Sequence, residues 1–533
     1  MKNIKIIIIL ALIIVLPNLL SGQSIDDATK KGMAAITESA LKGQLSFLAS
    51  NWMEGRETGE KGEYISADYI ASMLQLYGLE PGGDYAGMSQ GGGRTRTYFQ
   101  TFQLLKSSPG TSQSMSVTSS STTGSKTVHF TYNVDYSFRN TSSSMEFDAP
   151  VVFVGYGIKS DKYKYNDFVK KDVKGKIILR IAGVPSSLRV QAGTEATAIA
   201  ASKDETAREL GVAGIIEVSP DAVVLASGAE QKEFLNMSPS EGRPRSGNPP
   251  ASMSIPSPSI PATVPKITAS LRVANEILRD GGFTIADYIK ADGAKPAVVF
   301  PEVVGKKMNL VSSVNTSLIN VRNVIGVIEG VNKNEVLVVA GHYDHMGIGN
   351  GYIWNGADDN GSGTVAVMTI ARAVMATGVK PQKTIVFALW TAEEKGLLGS
   401  KYWVDNPTVP FESIKMNINF DMVSRYITDQ SPDSVTMTYT SSHELFMQIT
   451  EKNLVKYNIR LKPDYVSSPS PTGGSDHRSF VAKGIPIMRF KPGHREEYHT
   501  IADETSTVDW DIFEKVVKIS FANLWELANT NWK

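Results

Sequence analysis

Residues 335–344 read EVLVVAGHYD. The run from Val336 to Ala340 is short and shows no polar alternation, the pattern of a strand covered on both faces. It delivers His342 and Asp344 where the strand stops. Residues 383–394, KTIVFALWTAEE, repeat the design, with an apolar body followed by Glu393 and Glu394. Paired acids cost little on a surface, but at the end of a buried strand each charge needs a partner. The reading therefore turns on what else reaches the same place.

Working outward, NVIGVIEG (323–330), IKMNINFDMVS (414–424) and GIPIMRFK (484–491) have the same texture. Helical patterns lie between the strands, including SGTVAVMTIARAVMATG from Ser362 and a long C-terminal helix from Val508. The alternation predicts an α/β fold with a mixed, mostly parallel central sheet flanked by helices. In such sheets ligands bind at the carboxyl ends of the strands. Those ends carry His342 and Asp344, Glu393 and Glu394, Asp421, and, in EEYHTIADET, Tyr498 and His499. NGADDNGSG (355–363) adds Asp358 and Asp359 just ahead of a helix. Taken singly, each has an ordinary explanation, such as a core histidine or an acid stabilising a helix N-terminus. Together they do not, because five of the seven histidines, His342, His345, His477, His494 and His499, fall in or near these segments.

The rest of the chain sets the frame. It has 533 residues, with Lys plus Arg and Asp plus Glu at 54 each, so no basic footprint for nucleic acid or anionic membrane is present. Residues 1–22 read as a signal peptide: Lys2 and Lys5 precede an apolar run far short of the roughly 20 residues that span a bilayer. The chain is thus expected to be secreted or periplasmic, without stable membrane insertion. There is no cysteine. Any metal site must use His and carboxylates, and stability must come from core burial. Residues 25–80 read as helices, and the Ser- and Thr-rich stretch 106–127 as an exposed loop or hairpin tip. Residues 147–295 read as a small β-rich inserted domain that includes a Pro- and Ser-rich tract (238–265). The flanking stretches 23–146 and 296–533 form one discontinuous domain.

GHYDHMG, GADDNGSG, TAEEKGLLGS, NFDMVSR, SDHRSF and YHTIADE, in this order, resemble the two-zinc aminopeptidase family of bacterial leucine aminopeptidases and glutamate carboxypeptidase. The insertion resembles a protease-associated domain. The resemblance implies two zinc ions, with Asp358 bridging them, His342 and Asp421 completing one site, and Glu394 and His499 the other. It further implies Glu393 as general base, Asp344 orienting His342, and Tyr498 as a donor to the oxyanion. Adjacent glutamates thereby acquire different tasks. Two cations about 3.5–4 Å apart need a bridging carboxylate, and the water they share is acidified by both. The implied function is a secreted aminopeptidase acting on peptides with a free N-terminus. The alternatives are a glutamate-carboxypeptidase-like dipeptidase, for which Arg425, Arg478, Arg489, Lys491 and Arg495 provide cations, a glutaminyl cyclase, and a non-catalytic binding protein. The oligomeric state is not legible.

Overall fold

The structure, a computed structural model, describes residues 25–88, 94–122, 124–138, 144–219, 252–257, 264–294, 298–349, 351–426, 431–491, 493 and 495–532. The apolar leader lies outside them, as does most of the Pro- and Ser-rich tract. No helix among the described residues is long and apolar enough to cross a membrane.

After helices at Ile25–Ala35, Glu38–Leu48 and Lys61–Leu76, β1 (Phe99–Ser121) leads into β2 (Met145–Phe153), β3 (Ile177–Ile181), β4 (Gly214–Val218) and β5 (Lys266–Ala269). β6 (Lys306–Ile328) then returns alongside β1. It is followed by β7 (Asn332–His342), β8 (Lys383–Trp390), β9 (Ile414–Phe420), β10 (Ser434–Thr440), β11 (Lys462–Ser468) and β12 (Ile487–Lys491). One mixed sheet runs in the order β11-β10-β12-β9-β7-β8-β6-β2-β3-β4-β5. Within it β8, β7, β9 and β12 are mutually parallel, and so are β2, β3, β4 and β5.

The apolar runs explain the central strands. Every residue of β8 is buried, as is β7 from Val336 onward. Helices Gly363–Ala376 and Trp510–Asn529 cover one face together with the N-terminal helices, while Trp390, Trp403 and Phe480 pack on the other. Full burial on both faces is what continuous Val, Ile and Leu runs require.

Two readings change. The Ser- and Thr-rich stretch is not a loop: it completes β1 and the strand Gly124–Phe130, and β1 pairs with β6 from Phe99 opposite Val324 to Ser119 opposite Lys306. Met115, Val117 and Ser119 are buried at alternate positions while Ser116 and Thr118 between them are half-buried, so the composition hides a two-residue period. The second core also reaches past 147–295. It draws on Met115, Val117, Phe130 and Tyr136 before β2, and on Met308 and Leu310 of β6. β1 and β6 are each long enough to serve both cores, so a change of composition along the chain does not mark the change of core.

Candidate metal centre

Register brings the candidate residues together. His342, the last residue of β7, lies level with Trp390 of β8, and Gly341 lies level with Phe420 of β9. Phe420 in turn is level with Phe490 of β12. The next residue on each strand, Thr391, Asp421 and Lys491, therefore arrives at one edge. Two groups of metal-capable side chains stand there: His342 with Glu393 and Asp421, and His345 with Asp359 and Glu394. Within each group the ligand atoms lie within 4.8 Å of one another. His499 joins the second group, its Nε2 lying 2.9 Å from Asp359 Oδ2 and 3.2 Å from Glu394 Oε1.

Asp359 spans the two. Its Oδ1 is 3.6 Å from His342 Nε2 and its Oδ2 faces His499. Asp358, the bridging carboxylate implied by the resemblance, turns the other way. Its Oδ1 accepts from the Ser424 amide at 3.0 Å and the Ser424 hydroxyl at 2.7 Å. Of the two neighbouring acids, Asp359 is the one whose carboxylate faces both groups. The loop is held from below by the buried Asp503, whose two oxygens accept the amides of Asp358 (2.8 Å) and Asp359 (2.9 Å). Gly356 enters the loop at φ 55°, where a Cβ would lie 2.1 Å from the Asp359 carbonyl and 2.4 Å from the His345 ring, so only glycine fits. The Asp359–Asn360 peptide is cis.

Asp344 is fully buried but faces His342 only at 3.7 Å through its carboxylate; the nearer acceptor for His342 Nδ1 is the main-chain oxygen of Asp344, at 3.2 Å. The carboxylate instead collects the amides of Glu393 (3.0 Å) and Glu394 (3.3 Å) and the Thr58 hydroxyl (3.0 Å). It fixes the turn that aims the two glutamates. His345 Nδ1 donates to Glu394 Oε1 at 2.9 Å. Tyr498 stacks on His499 with ring centroids 3.8 Å apart. A cavity of about 90 Å³ opens here, lined by side chains of both groups together with Lys491 and Tyr498. His477 is not part of it: its ring sits between Arg489 and the Thr472 carbonyl, locked by hydrogen bonds on both nitrogens. Arg425 is committed to Glu497 at 3.2 Å.

The electrostatics are those of crowded anions. Burial, and then the carboxylates of Asp476, Glu394 and Asp421, hold Glu393 well above the usual carboxylate range against the pull of His342. Burial and Glu394 do the same to Asp359. Burial would push His342 down, yet Glu393 and Asp421 hold it well above its ordinary value. Asp476 and Asp503, both raised chiefly by burial, reach about 7. Excess negative charge facing one small cavity, with imidazoles among the donors, is the donor set of a dication site. The residues present therefore fit zinc.

Sequence reasoning named Asp359 and His345 without giving either a task, and assigned none to Asp503 or Asp476. All four lay inside the quoted motifs, but nothing local distinguishes their directions.

The profile of Peptidase family M28 matches residues 323–524. These residues, fewer than half of the chain, are similar to that family. The chain is 32% identical over 170 residues to leucine aminopeptidase 2 of Arthroderma otae, covering 31% of this chain and 32% of that one. It is 34% identical over 166 residues to leupeptin-inactivating enzyme 1 of Streptomyces exfoliatus, covering 31% and 34%. The match thus spans about a third of the length of these relatives. In fold, the chain is similar to an aminopeptidase from Aneurinibacillus sp. strain AM-1, with a TM-score of 0.57, 17% identity, and coverage of 95% of this chain and 97% of that one. It is also similar to a peptidase M28 precursor from Shewanella amazonensis, with a TM-score of 0.52, 16% identity, and coverage of 96% and 98%. That likeness extends well beyond residues 323–524.

Proposed function

We propose that the protein is a zinc-dependent aminopeptidase, exported by its apolar leader, that removes N-terminal residues from peptides. The observation that carries this reading is the convergence of two groups of metal-capable side chains on one strand edge, with Asp359 facing both. His342 and Asp421 would hold one ion, Glu394 and His499 the other, and Asp359 would serve each. Bound there, zinc would supply Lewis-acid polarisation of the scissile carbonyl and lower the pKa of water.

The rest belongs to the chain. Glu393 Oε2 stands 4.0 Å from His342 Nε2 at the cavity wall. There it would take the proton from the attacking water and deliver it to the nitrogen of the leaving amine. Asp344 orients Glu393 and Glu394 through their amides, so one carboxylate points at the metal group while its neighbour stays free to carry a proton. Tyr498, which lines the cavity, would donate from its hydroxyl to the oxygen that gains charge as the carbonyl is attacked. The inserted part, read as a protease-associated domain, would shape access to the cleft.

One observation favours a second reading. Lys491 lines the same cavity and carries no ion pair among the described residues, whereas Arg425 is paired and Arg489 is buried against His477. A cation there suits a substrate carboxylate, as in a carboxypeptidase acting on short acidic peptides. A panel of aminoacyl-coumarins beside N-blocked and C-terminally acidic dipeptides, each with and without chelator, separates the two. Cleavage of free-amine substrates that chelator abolishes is expected. Activity confined to the N-blocked acidic dipeptides would replace the aminopeptidase reading, and chelator-resistant cleavage would end both.

A further inference from the structure

The most unusual buried group outside the cavity is Arg56, which lies ahead of the M28 segment and is 1% exposed. Among the described residues no carboxylate pairs with it. Its guanidinium instead donates to four main-chain carbonyls: Nε to Tyr343 (2.8 Å), one terminal nitrogen to Leu48 (2.7 Å) and Asn355 (2.7 Å), and the other to Gly356 (2.8 Å). Tyr343 sits between His342 and Asp344. Asn355 and Gly356 open the loop that carries Asp359. One cation thus ties together the two segments whose side chains must face each other across the site.

The backbone goes to some length to place it. Glu54, Gly55 and Arg56 are all left-handed, at φ 49°, 66° and 51°, a conformation that residues other than glycine rarely adopt. A Cβ at Gly55 would lie 2.5 Å from the Gly347 carbonyl and 2.6 Å from the Trp354 carbonyl, so the turn is clamped onto the loop beneath the site. The Arg56 carbonyl accepts the His345 amide at 3.0 Å, Lys395 pairs with Glu57 at 2.9 Å, and the Thr58 hydroxyl reaches Asp344. A strained turn persists only where its surroundings over-determine it, and such turns cluster at functional sites. The charge has a second effect. Asp503, Asp359, Asp344 and Glu394 are close enough to act on the guanidinium without bonding it, so it offsets part of the repulsion among carboxylates that would otherwise drive the site apart before metal arrives.

We propose that Arg56 is a positioning residue for the metal centre: it holds the main chain at 343 and 355–356 in the arrangement that turns His342 and Asp359 toward one another, and its charge keeps the metal-free site assembled. This rests on the reading of the site as one that binds zinc. Only a planar fork matches four carbonyls in this geometry, so lysine keeps the charge but loses most of the bonds.

The test uses the full chain stripped of metal, as wild type, Arg56→Lys and Arg56→Gln, with zinc affinity measured by competition against a chromophoric chelator. Thermal unfolding of the metal-free protein and the kcat and KM of the reloaded enzyme are measured alongside. Zinc affinity is expected to fall about 10-fold in Arg56→Lys and about 100-fold in Arg56→Gln, the range found when groups that orient metal ligands are removed. The lost kcat of Arg56→Lys should return with excess zinc, with KM little changed. Wild-type zinc affinity in folded variants, whatever their melting temperature, would overturn the proposal by leaving Arg56 a purely structural residue. Failure of both variants to fold would do the same. If the wild-type chain itself bound no zinc, the reading of the site would fall instead, and Arg56 would not be the cause.

Discussion

The sheet holds two sets of parallel strands that end in opposite chemistry. At the edge of β7, β8 and β9 the carboxylates of Glu393, Glu394, Asp359 and Asp421 crowd around His342, His345 and His499. At the edge of β2, β3 and β4 each charge is answered. Lys203 donates to the carbonyls of Ile181 (2.7 Å) and Gly183 (3.0 Å), Arg180 pairs with Glu217 at 2.7 Å and with Asp204, and Asp167 accepts the Ile158 amide at 3.0 Å. Neither metal-capable group involves the second edge. Topology supplies an open edge in both places. What sets the first apart is that its charges are left without countercharges, as expected of a site that a ligand completes.

The sharpest test of this contrast is Glu393→Gln. An amide of the same shape cannot take a proton, so turnover should fall by about 10²–10⁴-fold, or about 3–5 kcal/mol of barrier, while KM changes far less. Metal content should stay at the wild-type level, because the ligand positions assigned to Asp359, Glu394, Asp421, His342 and His499 are untouched. Steady-state kinetics with elemental analysis of the same preparation decides. Wild-type turnover would remove the general-base role, and loss of zinc would make Glu393 a ligand.

The second test compares two neighbouring acids. Asp359→Asn removes the charge that faces both groups and should strip zinc from the protein. Asp358→Asn should keep the metal and lose about 1–3 kcal/mol of stability, since the Ser424 amide and the Ser424 and Ser362 hydroxyls that point at its carboxylate would face a weaker acceptor. Elemental analysis and denaturant unfolding of the two variants separate the roles. Metal loss in Asp358→Asn alone would return the bridge to the residue that motif order implies.

That pair also marks how far the sequence could be read. The strands β7, β8 and β9 were legible because a strand buried on both faces writes itself as an unbroken apolar run, and the acids that follow such runs stand out. β1 was not, because its inward residues alternate with serines and threonines that read as loop. The choice between Asp358 and Asp359 is likewise invisible locally. It is made by Ser424 and Asp503, which lie 66 and 145 residues away in the chain. Arg56 is hidden for the same reason, since its partners are carbonyls, to which any sequence position contributes equally. Residues that supply chemistry announce themselves by type, whereas those that aim it are defined only once the chain has folded.

The smallest expected effect lies at the compensated edge. Burial pushes the Asp167 carboxyl up to about 6, against the pull of its Ile158 hydrogen bond and of Lys171 and Lys203. A carboxyl whose pKa is raised on folding holds its proton longer in the native state than in the unfolded one. Between about pH 4 and 6 the native chain therefore binds more protons, and the module loses stability as pH rises through that window. The loss is at most about 3 kcal/mol, from a shift of roughly two units at about 1.4 kcal/mol each. Asp167→Asn never ionises, so its module should match wild type near pH 4 and exceed it above pH 7. The two halves can be followed separately. All seven tryptophans, Trp52, Trp354, Trp390, Trp403, Trp510, Trp525 and Trp532, lie outside residues 147–295, so their fluorescence reports the half that carries the metal centre. Amide exchange in β2, β3, β4 and β5 reports the other. The substitution should slow exchange in those strands above pH 7 and leave the tryptophan transition where it was. An equal shift in both signals would mean that β1 and β6 couple the two cores into one unfolding unit, and the contrast between the edges would then be one of chemistry alone.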